Sequence, residues 1–163
     1  LLNIIFEENS SYKSYYEKKI KLSSLFSVVS TTGKEVKTKD VLAEGIYPVI
    51  SQSKNEIDGY SNNIEFVINK PEIILFGDHT KVVKYITKPF IAGADGTKIL
   101  NPVCNGKYLF YACLFASKEI ENRGYGRHFA LLKNIEIPDY SSEMQLKIVK
   151  MLDREFNLLN RIQ

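Results

Sequence analysis

The spacing of hydrophobic and polar positions divides the chain into a sheet region and helical segments. From about residue 47 to residue 100, short runs of β-branched and aromatic residues are interrupted by turn residues, which is typical of strands. Residues 73–76 are all apolar and predict a strand buried on both faces, whereas the alternation over residues 63–69 predicts a half-exposed strand. Turn signals divide the region into about five strands, at Asp58-Gly59, Asn69-Lys70-Pro71, Gly77-Asp78 and Asp95-Gly96.

Helices are predicted before and after this sheet region. Ser23 is placed to cap a short helix over residues 25–29, because its hydroxyl can accept from an unpaired first-turn N–H. Residues 108–120 put apolar side chains on one broad stripe, which predicts a helix packed on the sheet. A loop over residues 122–128 and a strand-like run over residues 129–137 follow.

The last segment of the chain has a clear helix start. Ser142 and Gln145 have the S-x-x-Q spacing of a capping box, in which each side chain satisfies an unpaired N–H of the first turn. Four apolar residues then recur at spacings of three, four and three: Val149, Leu152, Phe156 and Leu159. This spacing fits the seam of a coiled coil, and it fits equally an amphipathic helix folded back on its own domain.

Composition restricts the class of protein. The chain has 163 residues, 44% of them hydrophobic, which fits one ordinary domain plus a short extension and excludes a collagen, a disulfide scaffold and a disordered tail. Cys104 and Cys113 lack zinc-ligand spacing, so we expect two reduced thiols. The apolar runs are far shorter than the roughly 20 residues that span a bilayer. Without a signal-peptide pattern, and with Leu1 first, the chain is interpreted as a piece of a longer cytoplasmic protein.

The basic residues are concentrated in the middle of the chain. The net charge of +3 divides into −1 over residues 1–76, +5 over residues 77–133 and −1 over residues 134–163. Gly, Thr, Asn and Tyr are interleaved with this local excess, a composition typical of loops that approach a phosphate backbone. A solvated basic face gives the same count, so charge alone leaves both interpretations open.

The motifs of common catalytic sites are incomplete in this sequence. Residues 93–98 resemble a phosphate-binding loop, but their lysine is followed by Ile99 rather than by a hydroxyl residue and a helix. Residues 101–104 lack the second proline and the aromatic residue that amino-methyltransferases place around the target amine. Asp78 and His79 pair an acid with a potential base, but neither further ligands nor a nucleophile accompany them in a matching context. We therefore expect a non-catalytic chain.

Several short motifs, in order along the chain, carry a more specific signal. They are GIYPVISQS at 45–53, IDGY at 57–60, ILFGDHT at 74–80, PFIAGADGTK at 89–98, NRGYGRHF at 122–129, IP at 137–138 and QLKIV at 145–149. Together they resemble the target recognition domain of Type I restriction-modification specificity subunits. The resemblance covers about residues 22–163.

The resemblance implies a fold and a domain organisation. The expected fold is α/β (α+β), a small curved mixed sheet with flanking helices, followed by a long C-terminal helix that begins a coiled-coil spacer. Residues 1–21 would be a polar lead-in or linker, residues 22–140 the DNA target recognition domain and residues 141–163 the start of the spacer helix. Subunits of this family have two recognition domains and two spacer helices, so the chain is interpreted as a half-subunit or a fragment.

The resemblance also implies partners and cofactors. Such a subunit is non-catalytic: it reads one half of a bipartite site on double-stranded DNA and positions the methyltransferase (modification) and restriction subunits. S-adenosylmethionine and ATP are expected on those partner subunits and not on this chain. The spacer helix, with Val149, Leu152, Phe156 and Leu159 along its seam, is expected to contact the second recognition domain.

The predicted DNA contacts fall mainly in the basic segment. Phosphate contacts are expected from cations and hydroxyl groups, namely Lys81, Lys84, Lys98, Arg123, Arg127, Thr80 and Thr97. Base contacts are expected from side chains suited to the major groove, namely Gln52, His79, Asn122, Arg123, Tyr125 and Arg127. Four glycines are expected to serve turns rather than contacts, namely Gly93, Gly96, Gly124 and Gly126.

Two alternatives remain open at the level of sequence. The chain fits the C-terminal specificity domain of a single-chain enzyme that fuses nuclease, methyltransferase and specificity domains, with catalysis in another part of the polypeptide. It also fits a domain that has lost DNA binding and acts only through its terminal helix, which predicts no salt-sensitive affinity for duplex DNA.

Overall fold

The computed structural model describes residues 1–7, 11–94, 96–121 and 126–162, with side chains as far as residue 158. The strands are β1 (Lys19–Lys21), β2 (Phe26–Val29), β3 (Tyr47–Ile50), β4 (Gly59–Ser61), β5 (Val67–Ile68), β6 (Ile73–Gly77), β7 (Val83–Ile86), β8 (Phe90–Ala92), β9 (Thr97–Pro102) and β10 (Glu136–Pro138). The helices are α1 (Leu2–Phe6), α2 (Gly106–Glu119), α3 (Phe129–Leu132) and α4 (Ser142–Ile162). Short 3-10 turns cover Lys13–Tyr15, Leu22–Leu25, Thr38–Asp40 and Ile64–Phe66.

Two four-stranded sheets form the middle of the described chain. The first has the order β2-β9-β6-β7, and its neighbouring strands are antiparallel. The second has the order β4-β3-β8-β5 and includes a parallel pair, β3 with β8. A separate two-stranded ribbon pairs β1 with β10 and places Ile20 opposite Ile137. The sheets and their flanking helices confirm the predicted mixed α/β class.

Strand β6 is buried on both faces, as its unbroken apolar run predicts. Ile74 and Phe76 belong to a large core that they share with the helices and with Leu100 of β9. Ile73 and Leu75 belong to a second core, which they share with residues of the other sheet, among them Ile50, Phe90 and Ala92. Because alternate side chains of a strand point to opposite faces, this strand joins a helical layer to a sheet layer. The described chain thus has three layers: helices, the antiparallel sheet and the mixed sheet.

The helical layer is centred on α2, which contacts β6, β7, α1 and α4. The side chain of its N-cap residue, Asn105, accepts from the Tyr108 N–H at 2.9 Å and so fixes the first turn. Phe6 of α1 is 1% exposed, and its ring centroid lies 5.3 Å from that of Phe115 and 5.7 Å from that of Tyr108. Helix α1 therefore belongs to the large core, while the division into lead-in, recognition domain and spacer stays a prediction. Among the described helices, none is long and apolar enough to cross a membrane.

The start of α4 differs from the predicted capping box by one residue. The hydroxyl that accepts from the Met144 N–H, at 3.3 Å, belongs to Ser141 and not to Ser142. Gln145 is buried, and its Nε2 donates to the Tyr140 carbonyl at 3.0 Å. The side-chain amide of Gln145 therefore donates to the backbone of a residue that precedes the helix, instead of accepting from the N-cap N–H as in a capping box.

Helix α4 packs on the domain through its first half. Val149 and Leu152 are buried in the large core, as the alternative of a helix folded back on its own domain requires. Further along, Phe156 is 38% exposed, and its ring centroid lies 5.4 Å from that of Tyr111 on α2. The side chain of Leu159 lies outside the described residues, and a coiled-coil seam stays a prediction.

Two predicted elements are wrong in type. The short helix predicted over residues 25–29 is a 3-10 turn followed by β2, which pairs with β9 along its whole length. A segment this short does not form a stable isolated helix, so its β-branched residues pair with the open edge of the sheet. The strand-like run over residues 129–137 begins as α3, and only its end forms β10. The first N–H of α3, that of Phe129, donates to the carboxylate of Asp78, and this bond favours the helix.

The described part of residues 47–102 contains seven strands rather than about five. The segment predicted as a half-exposed strand, residues 63–69, contains a 3-10 turn at Ile64–Phe66, and only Val67–Ile68 pairs. The Asn63 side chain accepts from the Glu65 N–H at 3.2 Å. Such a local bond competes with strand pairing, which explains the shorter strand.

Replacing Phe6 with Ala tests whether α1 is part of the folded domain. Removing a buried aromatic ring leaves a cavity, so we expect the free energy of unfolding to fall by about 3–5 kcal/mol. Urea denaturation of the chain measures the loss. Ile4→Ala is the matched control on the same helix, where Ile4 is 49% exposed and the expected loss is below about 0.5 kcal/mol. Equally small losses for both substitutions would place α1 outside the core.

Candidate nucleic-acid interface

Four loops meet at the edge of the sheets where β3, β6 and β8 end. They cover residues 51–58, 78–82, 93–96 and 121–128, of which residues 95 and 122–125 lie outside the described part. The Asp78 N–H donates to the Gly96 carbonyl at 2.8 Å, and the His128 N–H donates to the Asp78 carbonyl at 2.8 Å. Loop 51–58 joins them because the Gln52 Oε1 accepts from the His79 N–H at 3.0 Å. We call Gln52, Asp78, His79, Gly96 and His128 the loop junction.

Asp78 and His128 support the backbone of the loop junction. Asp78 is buried, and its Oδ1 accepts at 2.8 Å from the N–H of Phe129, the first residue of α3. His128 is 1% exposed, and its Nδ1 donates to the Asp78 carbonyl at 2.9 Å, which places a ring proton on Nδ1. Both side chains therefore form hydrogen bonds with backbone groups of the protein. No group of three potential metal ligands occurs among the described residues.

Three residues predicted to contact DNA bond to one another or to the neighbouring loop. The Thr80 hydroxyl donates to the Gln52 carbonyl at 2.8 Å, and the His79 N–H donates to the Gln52 side chain. The His79 Nδ1 donates to the Gly126 carbonyl at 3.2 Å. The structure thus gives Gln52, His79 and Thr80 a role in holding the loops together, which the sequence alone does not indicate.

Two glycines allow the loops to come this close. Gly96 has a φ of +72°, and a Cβ there would lie 2.6 Å from both the His79 Cδ2 and the Gln52 Nε2. A Cβ on Gly93 would lie 2.6 Å from the Cβ of Ser51. Gly96 therefore has the turn role predicted for it, whereas Gly93 lies in a β-bridge with Val36, where the close approach of Ser51 rather than a turn disfavours a larger residue.

Two lysines predicted to contact phosphates donate to backbone carbonyls. Lys81, at the tip of the β6–β7 turn, has a φ of 59°, and its Nζ donates to the Ile120 carbonyl at 3.1 Å. The Lys84 Nζ donates to the carbonyls of Ser51 at 2.8 Å and Asn55 at 2.6 Å. Each lysine therefore ties its hairpin to another element.

A second group of cations lies around the ring of Phe129, next to the loop junction. The Lys98 Nζ lies 6.0 Å from the ring centroid and the Lys133 Nζ lies 5.3 Å from it, within the range of cation–π attraction. Arg127 is exposed, two residues before the ring, whereas Thr97 is only 8% exposed. Lys133 was not among the predicted site residues, although the basic segment that ends there contains it.

Four predicted residues lie outside the described part of the chain: Asn122, Arg123, Gly124 and Tyr125. The residues on either side of them are placed. Glu121 follows α2, and Gly126 bonds to His79 through its carbonyl. The returning end of this segment is therefore held at the loop junction, while a turn role for Gly124 and Gly126 stays a prediction.

The two cysteines are free thiols, as predicted. Burial raises the pKa of Cys104 to about 11 and also raises the pKa of the fully buried Cys113. The thiolate is the nucleophilic form of cysteine, so neither side chain is an activated nucleophile at neutral pH.

Substitution of Gly96 separates backbone strain from packing in the loop junction. Gly33 has a φ of +74° and no heavy atom within 4 Å of a Cβ position, so Gly33→Ala measures strain alone, about 1–2 kcal/mol. Gly96→Ala has the same strain and also overlaps Gln52 and His79. We expect urea denaturation to show a further loss of at least about 1 kcal/mol for Gly96→Ala. Equal losses of unfolding free energy for the two substitutions would mean that the loops can move apart around a Cβ at position 96 without a loss of stability.

Comparison with known proteins gives the same family as the sequence motifs. The family model described as Type I restriction modification DNA specificity domain matches residues 16–163. A search of curated proteins gives no match.

Several solved structures have the fold of this chain. The S subunit of a Type I restriction-modification system from M. genitalium is 22% identical, with a TM-score of 0.63 over 93% of this chain and 42% of its own. The HsdS subunit from Thermoanaerobacter tengcongensis is 16% identical, with a TM-score of 0.64 over 99% of this chain and 44% of its own. A third structure concerns complex assembly and conformational transition of the type I R-M system. It is 14% identical, with a TM-score of 0.72 over 98% of this chain and 43% of its own. This chain spans less than half the length of each. Because the family match extends over most of its residues, the chain belongs to the Type I restriction modification DNA specificity domain family.

Proposed function

We propose that this chain reads one half of a bipartite target on double-stranded DNA and positions the modification and restriction subunits on it. The chain is the recognition component and supplies no catalytic group. S-adenosylmethionine and ATP bind to the partner subunits. The family match and the loop junction support this function.

The observation that carries the proposal is the meeting of four loops at one edge of the sheets, three of them from the basic segment of the chain. Residues 77–133 have a net charge of +5, and three of the four loops belong to that segment. Hydrogen bonds join the loops through Asp78, Gln52 and His79. A fixed set of cations can match the spacing of phosphates, which sets the register of a protein on a duplex.

Phosphate contacts are proposed for the cations beside the loop junction. Arg127 is exposed, and Lys98 is half-buried beside the ring of Phe129. Arg123 is proposed as well, because the next described residue of its segment, Gly126, bonds to His79 at the loop junction. The hydroxyl groups of the predicted set are weaker donors here: the Thr80 proton is already bonded and Thr97 is buried.

Base contacts are proposed for two short segments of the chain. Residues 122–125 contribute Asn122, Arg123 and Tyr125, and residues 54–57 are exposed at the tip of loop 51–58. Arginine pairs with guanine and asparagine with adenine through two hydrogen bonds in the major groove. Gln52 and His79 bond to neighbouring loops within the loop junction. A change of base preference would therefore come from substitutions in residues 54–57 and 122–125.

Helix α4 is proposed to connect the recognition domain to the rest of the subunit. The solved relatives are more than twice as long as this chain. Phe156 and Leu158, beyond the buried half of the helix, are 38% and 44% exposed. Exposed apolar residues on a helix often mark a surface that packs against another helix. This is consistent with the predicted contact between α4 and the second recognition domain.

Mapping methylated adenines in genomic DNA tests this function. The complete protein is expressed with its modification subunit in a host that lacks other methyltransferases. A bipartite motif with a fixed gap supports a half-site reader. A contiguous or one-sided motif would favour a fused single-chain enzyme, and a folded complex that methylates nothing would favour a domain that acts only through its terminal helix.

Arg127→Ala tests the phosphate contacts. Counterion release predicts that one lost phosphate contact makes the slope of log K against log salt shallower by about 0.9. Fluorescence anisotropy with a labelled duplex, measured over a range of salt concentrations, gives the slope. Arg154→Ala is the control, because Arg154 is an exposed arginine on α4 and belongs to none of the four loops. An unchanged slope for Arg127→Ala would remove this residue from the interface.

A further inference from the structure

Lys84 crosses from one sheet to a loop of the other. It lies on β7 of the antiparallel sheet, opposite Leu75 of β6. Loop 51–58 belongs to the mixed sheet, where it connects β3 to β4. The Lys84 Nζ donates to the Ser51 carbonyl at 2.8 Å and to the Asn55 carbonyl at 2.6 Å. One ammonium group therefore bonds both the start and the middle of this loop.

At its start, loop 51–58 is also held through Gln52, which bonds to His79 and Thr80, whereas the described bonds of Ser53 stay within the loop. The Ser53 hydroxyl donates to the Asp58 carboxylate and accepts from the Asn55 N–H at 3.2 Å. Residues 54–57 are exposed and belong to no strand or helix. A segment of this kind has high conformational entropy, so a cation bonded to two of its carbonyls limits the shapes that it can take.

The surroundings of Lys84 suit an internal role. Its side chain is half-buried, and burial lowers the pKa of Lys84 while the charges of Asp58 and Glu56 act in the opposite direction. Both carboxylates belong to the loop that the ammonium bonds, so its charge is balanced within the protein. A phosphate oxygen would compete with two carbonyls already at bonding distance.

We propose that Lys84 is a positioning residue that holds loop 51–58 in the shape needed to read DNA and does not itself contact phosphate. The inference rests on the proposed DNA-reading function and revises one member of the predicted phosphate set. Lys84 differs in this respect from Arg127, which is exposed. Loss of the ammonium should therefore weaken binding to the target sequence without removing a counterion-releasing contact.

Lys84→Met tests the inference, because methionine keeps an unbranched apolar side chain and removes the ammonium group. We expect amide hydrogen exchange in residues 51–58 to become faster by about tenfold or more as the loop opens locally. We expect the affinity for a duplex that carries the motif identified by methylation mapping to fall by about tenfold. The slope of log K against log salt should stay unchanged. Lys84→Arg keeps the donors and should recover part of both losses.

Arg127→Ala is the matched comparison: it should make the salt slope shallower and leave exchange in residues 51–58 unchanged. The proposal is overturned if Lys84→Met makes the slope shallower by about 0.9 while exchange stays the same, because Lys84 would then be a phosphate contact. Unchanged exchange with an unchanged slope also overturns it. If the wild-type protein has no salt-sensitive affinity for any duplex, the proposed function fails, and hydrogen exchange still decides whether Lys84 orders the loop.

Discussion

Burial of β6 on both faces is the constraint on which the rest of the structure depends. Its side chains alternate between two cores, so the helices must cover one face of the antiparallel sheet and the mixed sheet must cover the other. Stacking the two sheets in this way brings the ends of β3, β6 and β8 to one edge. The packing of the core therefore places the loops that follow these strands next to one another, and the polar bonds between them add to it. Core packing thus determines where a ligand surface can be built.

The polar bonds at that edge separate support from contact. Asp78 and His128 are buried and bonded to backbone groups, and Gln52 and His79 join the loops above them. A buried polar group that loses its partner costs about 1–3 kcal/mol, so this set stabilises one arrangement of the loops. Residues 54–57 are exposed, and Lys84 and Ser53 bond the backbone of Asn55 among them. Under the proposed function, the exposed side chains of such a loop can change while the supporting residues keep the same bonds.

The sequence predicts the features that arise from long-range burial and from family motifs. The apolar run of β6, the stripe of α2 and the turn at Gly96 are recognisable, because each leaves a local pattern in the sequence. Residues 25–29 and 129–137 were assigned to the wrong element, since pairing with β9 and the Asp78 carboxylate decide their structure from far along the chain. The supporting role of Gln52 could not be read for the same reason. Its partner, His79, is separated from it by three strands in the sequence and becomes a neighbour only when the sheets stack.

The central claim is that the four loops at this edge form the DNA-reading surface. Hydrogen exchange of the chain, compared with and without a duplex that carries its target, tests this claim most directly. The account predicts slower exchange in residues 51–58, 78–82, 93–96 and 121–128, with little change in α1 and α4. Protection of the helices with no change in these loops would contradict it.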